Sequence, residues 1–329
     1  MLWLTWRQHR AELAGALILI AALAVPLILT GLTMREAFDS GGLAACAGAG
    51  SGPETACTRA LNVFLGEYSE WGTQVIWVQL LPAVAGVFVG APLLGREFEH
   101  GTWKVAFTQS VTRTRWLGVK LAVVGLGVVA VFAVLAALFA WWRTPLNAVE
   151  GPMEPKAFNV QGVNLPAAAL LAFAVGVLAG AVLRRTVPAM AVALVAFVAI
   201  RVPIELYARP HYLPPVWATA DPVTDSAGAW IGSPTDWVLD TGYVDAAGHK
   251  LTEAEGLTIL RGVYGDGTSL HGPGSPLERY LAGHGLRHLV EYQPAARFWT
   301  FQLIEAGIYI GLAVVLLAAA VWFIRRRTS

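Results

Sequence analysis

Residues 95–120, GREFEHGTWKVAFTQSVTRTRWLGVK, decide how this chain is read, because they form the long charged segment between two apolar runs. The segment opens with Arg96, Glu97, Glu99 and His100, passes Gly101-Thr102 and Trp103-Lys104, and closes with Arg113, Arg115 and Lys120 before hydrophobicity resumes. Lysines and arginines gather on the cytoplasmic side of membrane spans, so this segment is expected to face the cytosol.

The composition agrees. A mean hydropathy of +0.57 with 14% charged residues falls far below the ~25% charged of soluble domains, so the chain reads as a membrane protein. A net charge of +1 gives no ground for a nucleic-acid partner. Thirteen tryptophans suit interfacial belts, where indole sets an apolar body and a polar N–H at the headgroup boundary, in contact with membrane lipids.

Upstream of the segment, residues 75–94 read as a span containing Gln79 and Pro82, with Gly86-x-x-x-Gly90 along one face. Small residues four apart permit close helix approach. Before it, residues 34–72 form an outer loop that holds the chain's two cysteines, Cys46 and Cys57, amid Gly, Ala and Ser. An oxidising exterior would join them in a disulfide worth about 2–3 kcal/mol in the chain-entropy model; the alternative is two free thiols. Residues 13–33 carry no charge and are long enough to cross the ~30 Å hydrocarbon core at ~1.5 Å per residue, giving a first span. Ahead of it, Leu2, Trp3 and Trp6 followed by Arg7, His9 and Arg10 read as a short amphipathic helix on the cytoplasmic surface. A signal peptide, or a lipoprotein signal ending in Leu43-Ala44-Ala45-Cys46, competes with this reading. Against both, Arg35, Glu36 and Asp39 separate the apolar run from that cysteine.

Downstream, residues 121–141 form the third span, followed by a short outer loop to Asn164. Gly125-Leu126-Gly127-Val128-Val129-Ala130 matches a dinucleotide-binding pattern but lacks the preceding strand and lies in an apolar helix. Residues 165–183 and 187–207 are the fourth and fifth spans, a hairpin turned by Arg184-Arg185-Thr186, and Gly176-x-x-x-Gly180 marks a packing face. Residues 208–297, rich in Pro, Gly, Trp and Tyr, hold no run long enough to span and read as an external cap of turns and short elements, with an amphipathic helix over 276–292. The last span covers 298–324, contains Gly307-x-x-x-Gly311, and ends on Arg325-Arg326-Arg327.

The inner segments carry twelve basic residues: Arg7, Arg10, Arg96, Lys104, Arg113, Arg115, Lys120, Arg184, Arg185 and Arg325 to Arg327. The outer segments spread ten over about 150 residues, an asymmetry that puts both termini in the cytoplasm of a multi-pass cell-membrane protein. The fold class is therefore an all-α integral membrane protein: six transmembrane helices, an interfacial amino-terminal helix and an extracellular cap before the last span. Residues 1–207 hold five spans and a cytosolic loop over 95–115, residues 208–297 the cap, and residues 298–329 the sixth span with its basic tail.

Arg201, Glu205 and Glu305 are the ionisable groups within apolar runs. Each costs roughly 2.5–3.5 kcal/mol at mid-bilayer, so pairing or a wet cavity is required. Arg201 lies about 20 Å from the inner end of its span and Glu305 about 10 Å below the outer end of its own, so Arg201 is expected to pair with Glu305 across helices or with Glu205 one turn away. Such charges either serve a transport pathway or lock two helices together. His284 and His288, four apart on the expected outer helix, suggest a metal site, but no third ligand follows from spacing, Gly283 and Gly285 weaken the helix, and a surface pair is the preferred reading. No metal site is assigned.

The order of an acidic residue, Gly101-Thr102, an amphipathic half-helix and a Ser/Thr-Arg segment resembles the cytosolic loop of type-2 ABC exporter permeases. The resemblance covers this loop and the span pattern. It implies half of a transporter, completed by a second permease subunit in a homo- or heterodimer and by ABC ATPase subunits. Arg96, Glu97, Phe98, Glu99, Gly101, Thr102, Trp103 and Lys104 would then lie at or near the ATPase contact. The chain has no Gly-x-x-x-x-Gly-Lys-Ser/Thr, so ATP and Mg would be held by the partner and no cofactor by this chain. The large region before the last span departs from the common pattern. A membrane-anchored sensor that recognises an envelope ligand through its cap is the alternative; a membrane-embedded enzyme is a third, and a loop acting only as a solvated basic tether is the bland reading of 95–115.

Overall fold

The computed structural model describes residues 2–46, 56–100, 113–220, 233, 235–264 and 276–327. The first helix, α1 (Leu2–Ser40), is continuous over 39 residues, so the interfacial helix and the first span are one element. Arg35, Glu36 and Asp39 lie in its last turns, and none of them interrupts the backbone ladder. Pro26 lies within it.

Two helices, α2 (Leu43–Cys46) and α3 (Ala56–Gln74), follow. Much of what reads as an outer loop over 34–72 is therefore helical, and the Cys46–Cys57 disulfide links α2 to the start of α3. The second span begins within α3 and changes winding four times: a 3₁₀ stretch Val75–Leu80, α4 (Leu81–Ala85), a π stretch Gly86–Gly90 and α5 (Ala91–Glu99). Pro82 and Pro92 each remove an amide donor, and local 3₁₀ and π adjustment accommodates the freed carbonyls.

The third span is α6 (Arg113–Trp142). The segment after it folds into α7 (Thr144–Glu150) and α8 (Pro155–Phe158), whose Leu146 and Phe158 are fully buried, so the expected short loop is a packed plug on the outer end of the bundle. Next come α9 (Asn164–Leu183) and α10 (Thr186–Pro203), the latter continuing through a π stretch Ile204–Ala208 into a 3₁₀ turn Arg209–His211.

The cap contributes β1 (Val216–Ala220), β2 (Trp237–Val244), α11 (Glu253–Tyr264), α12 (Pro276–Gly283) and β3 (Arg287–Gln293), ordered β1-β3-β2 with both pairs antiparallel. The helix expected over 276–292 stops at Gly283. Gly285 takes φ +63°, and the β-branched and aromatic residues beyond it pair as a strand instead. Finally, α13 (Phe298–Arg327) returns through the bundle. Six helices are long and apolar enough to cross a membrane, so this is an all-α membrane protein with a small extramembrane sheet.

The fourth span, α9, is the axis: 78% of its most apolar window is buried. Its glycines explain how. A Cβ on Gly86 would lie 2.5 Å from the Ala172 carbonyl oxygen, one on Gly90 2.6 Å from that of Phe173, and one on Gly180 2.5 Å from that of Ala91. The two sequence motifs thus face each other and let spans two and four meet backbone to backbone. Gly307 and Gly311 differ, since a Cβ there meets nothing within 4 Å among the described residues.

Candidate functional site

Two polar regions lie at opposite ends of the bundle. At the end where the second and third spans are joined, the last turn of α5 sits between the third span and the hairpin joining spans four and five. Glu97 forms an ion pair with Lys120 of α6, and the Lys120 ammonium also donates to the Leu93 carbonyl at 3.4 Å and lies 5.3 Å from the Trp116 ring centroid. Lys120 is buried (7% exposed), so this pair is shielded from most competing water.

One residue pair further on, the Glu99 carboxylate accepts hydrogen bonds from the Thr186 amide at 3.0 Å and the Thr186 hydroxyl at 2.7 Å. Thr186 is the first residue of α10, where the first amides of a helix have no partner within it and the dipole favours negative charge. Glu99 therefore supplies a cap from another span. Gly95 lies against the same turn: a Cβ there would be 3.3 Å from the Thr186 Cα. The Arg184 guanidinium sits 5.5 Å from the Phe98 ring, and its φ of +54° makes the sharp turn between the spans. Arg96 is exposed, and its carbonyl accepts from the His100 amide and ring. Gly101, Thr102, Trp103 and Lys104 lie outside the described residues.

At the opposite end the charges form a chain. Arg201 pairs with Glu205 on its own helix and donates to the Gln79 carbonyl in the 3₁₀ stretch of the second span at 3.1 Å. Glu305 pairs with Arg209, not with Arg201. Arg209 donates through Nε at 2.7 Å and Nη2 at 2.6 Å to the two carboxylate oxygens. Asn164, Tyr309 and Tyr212 donate to the same carboxylate at 2.7, 3.1 and 3.2 Å. Arg209 also donates to Asn159, and Asn159 to Gln79. Glu305 is 0% and Arg209 1% exposed. Burial, with the Glu305 carboxylate close by, pushes the Tyr212 phenol well above its ordinary value and keeps it a donor.

In sequence Arg209 falls in the cap, since the apolar run ends at Tyr207. The signal that would have found it is the spacing Arg201, Glu205, Arg209, four apart and so on one face once the helix continues. Exposed Trp299 and Trp322 are about 34 Å apart along α13 at ~1.5 Å per residue, a separation close to the thickness of a bilayer core, and Glu305 lies about 9 Å along the helix from Trp299.

The histidine pair is not one site. His284 stacks on Tyr280 beyond the end of α12, while His288 is on β3 against Tyr243. Among the described residues no group of three His, Cys, Asp or Glu side chains gathers to hold a metal ion.

A family model described as ABC-2 membrane transporter related matches residues 17–209, over half of the chain, taking in the first five spans and the inner-end contacts of α5. Comparison with curated proteins and with solved structures finds no match.

Proposed function

The chain belongs to the ABC-2 membrane transporter related family, and from that premise we propose that it is the membrane-spanning subunit of an ATP-driven exporter of the cell membrane. Its ATPase, with ATP and Mg, would be a separate chain docking on the loop over 95–115, and a second permease subunit would complete the pathway. Both termini would lie in the cytoplasm.

The observation that carries this reading is the seat of α5. Its last turn touches the third span and the base of the fifth, so a partner that displaces the segment after it moves two spans at once. Arg96, exposed at this turn, together with Thr102, Trp103 and Lys104, would present charge and an apolar anchor to the partner, with Gly101 allowing the turn. Glu97, Phe98 and Glu99 face the chain's own spans. Arg201, Glu205 and Glu305 would hold the outer ends of spans two, four, five and six together until the pathway opens.

Purification from native membranes tests the reading. An ATPase should accompany the chain in stoichiometric amount, and its hydrolysis should change when residues 102–104 are replaced by alanine. A chain that purifies without any ATPase would fit the sensor reading, which the folded sheet of the cap favours, since a sheet tied to the spans by Gln293 and Arg297 offers a surface for an envelope ligand.

A further inference from the structure

The contacts of α5 separate onto two faces. Leu93 and Glu97, four apart, meet Lys120 of the third span. Gly95, Phe98 and Glu99, spaced at i, i+3 and i+4, meet Thr186 and Arg184 at the base of the fifth. Residues spaced this way share a helix face, so the last turn is a wedge with one neighbour on each side. Each neighbour is held by a different carboxylate: Glu97 by an ion pair with a buried ammonium, Glu99 by two hydrogen bonds at a helix start.

We propose that Glu99 is a positioning residue that carries displacement of α5 to the fifth span by capping α10, while Glu97 carries the same displacement separately to the third span. The inference rests on the exporter reading and deepens it: the acidic pair works inside the chain, as two independent links, and not as charge offered to the ATPase. The physical reason is the kind of contact each makes. A carboxylate bonded to both the amide and the hydroxyl of Thr186 resists sliding and rotation of the helix start. Gly95, lacking a side chain, lets the two backbones approach closely enough for that bond to form, and Arg184 over Phe98 closes the third side of the contact.

Two single-cysteine reporters test it in the purified complex with its ATPase: Val187→Cys, at an exposed position in the first turn of α10, and Arg115→Cys, at an exposed position in the first turns of α6. The rate of maleimide labelling is compared without nucleotide and with ATP, Mg and vanadate. In the otherwise unchanged chain both rates should shift at least about threefold. Glu99→Ala should abolish the shift at position 187 and leave that at 115, and Glu99→Gln, whose amide oxygen still accepts from Thr186, should restore it. Lys120→Met should do the converse. As a second route that leaves Glu99 in place, Thr186→Val should halve the shift at 187 or more, and Thr186→Ser should keep it. A wild-type shift at 187 in Glu99→Ala overturns the proposal, as does equal loss at both reporters, which would make Glu99 merely structural. Absence of an ATPase from the unsubstituted chain overturns the exporter reading instead.

Discussion

The Glu305 carboxylate, fully buried in the last span, is held by two hydrogen bonds from Arg209, a residue 96 positions earlier at the carboxyl end of the fifth. Three further donors, Asn164, Tyr212 and Tyr309, complete its shell. A carboxylate with this many donors is fixed in place, and so are the helices that supply them.

Removing one partner should therefore be costly. Arg209→Met or Glu305→Leu alone leaves a buried charge uncompensated and is expected to cost about 3–5 kcal/mol, whereas the double change should recover much of the loss. Denaturation midpoints of the four proteins in detergent measure it. Arg201→Met should be additive with Glu305→Leu, because Arg201 pairs with Glu205; strong coupling between 201 and 305 would contradict the pairing described.

The glycines divide into two classes. Gly176→Ala would drive a methyl into the Gly86 carbonyl and to within 2.7 Å of the Ala91 amide nitrogen, so it should part spans two and four at a cost of about 1–3 kcal/mol. Gly307→Ala and Gly311→Ala meet nothing within 4 Å among the described residues and should leave the midpoint unchanged or raise it by a few tenths of a kcal/mol through helix propensity. Equal destabilisation by all three would refute the distinction.

This contrast shows what the sequence reveals and what it hides. Run length against bilayer thickness makes all six spans legible, and small residues four apart identify Gly86, Gly90, Gly176 and Gly180 as contacts. The same motif at Gly307 and Gly311 looks identical in sequence, since spacing records a permissive face and not whether a neighbour within the chain covers it. Arg209 was hidden because helix continuity past an apolar run depends on backbone winding, here a π stretch. The sheet was hidden because β3 forms only when strands remote in sequence supply its partners. At α5, charge pattern drew attention to the turn but could not give the partners, Lys120 for Glu97 and Thr186 for Glu99, because both lie on other helices.

The disulfide should be present in the mature protein. Peptide mass spectrometry without reduction should find Cys46 joined to Cys57, and Cys46→Ser with Cys57→Ser should lower stability by about 2–3 kcal/mol through the freed loop. Two free thiols in protein taken directly from cells would exclude the bond.

The cap should respond to acid through Asp240. The hydrogen bond from Lys250 holds its carboxyl below the ordinary value of 3.8. A depressed folded value stabilises the protein above the ordinary one, and that contribution disappears as pH falls through the folded value. Wild type should thus exceed Lys250→Met in thermal midpoint at pH 7, by less than about 1 kcal/mol for so exposed a pair, and the gap should narrow below pH 3.8. A gap that widens on acidification would show the sign to be wrong.

The orientation can be tested by cysteine labelling at two exposed positions at opposite ends of the bundle, His100→Cys and Thr252→Cys. His100 follows the α5 wedge, among basic residues that include Arg96, Arg184 and Arg185; Thr252 precedes α11 in the sparse, acidic surroundings of Glu253 and Glu255. Basic residues near span ends are retained on the cytoplasmic side during insertion, so a membrane-impermeant maleimide should reach position 252 in intact cells and position 100 only in inverted vesicles. The Cys46–Cys57 bond leaves no native thiol to confuse the assay. It also belongs to the same side as Thr252, since four spans lie between them, and a disulfide is kept only where thiols are oxidised, so that side is expected to be the exterior. Labelling of position 100 from outside would reverse the orientation, put the disulfide in a reducing compartment and remove the α5 wedge from the reach of any cytosolic ATPase.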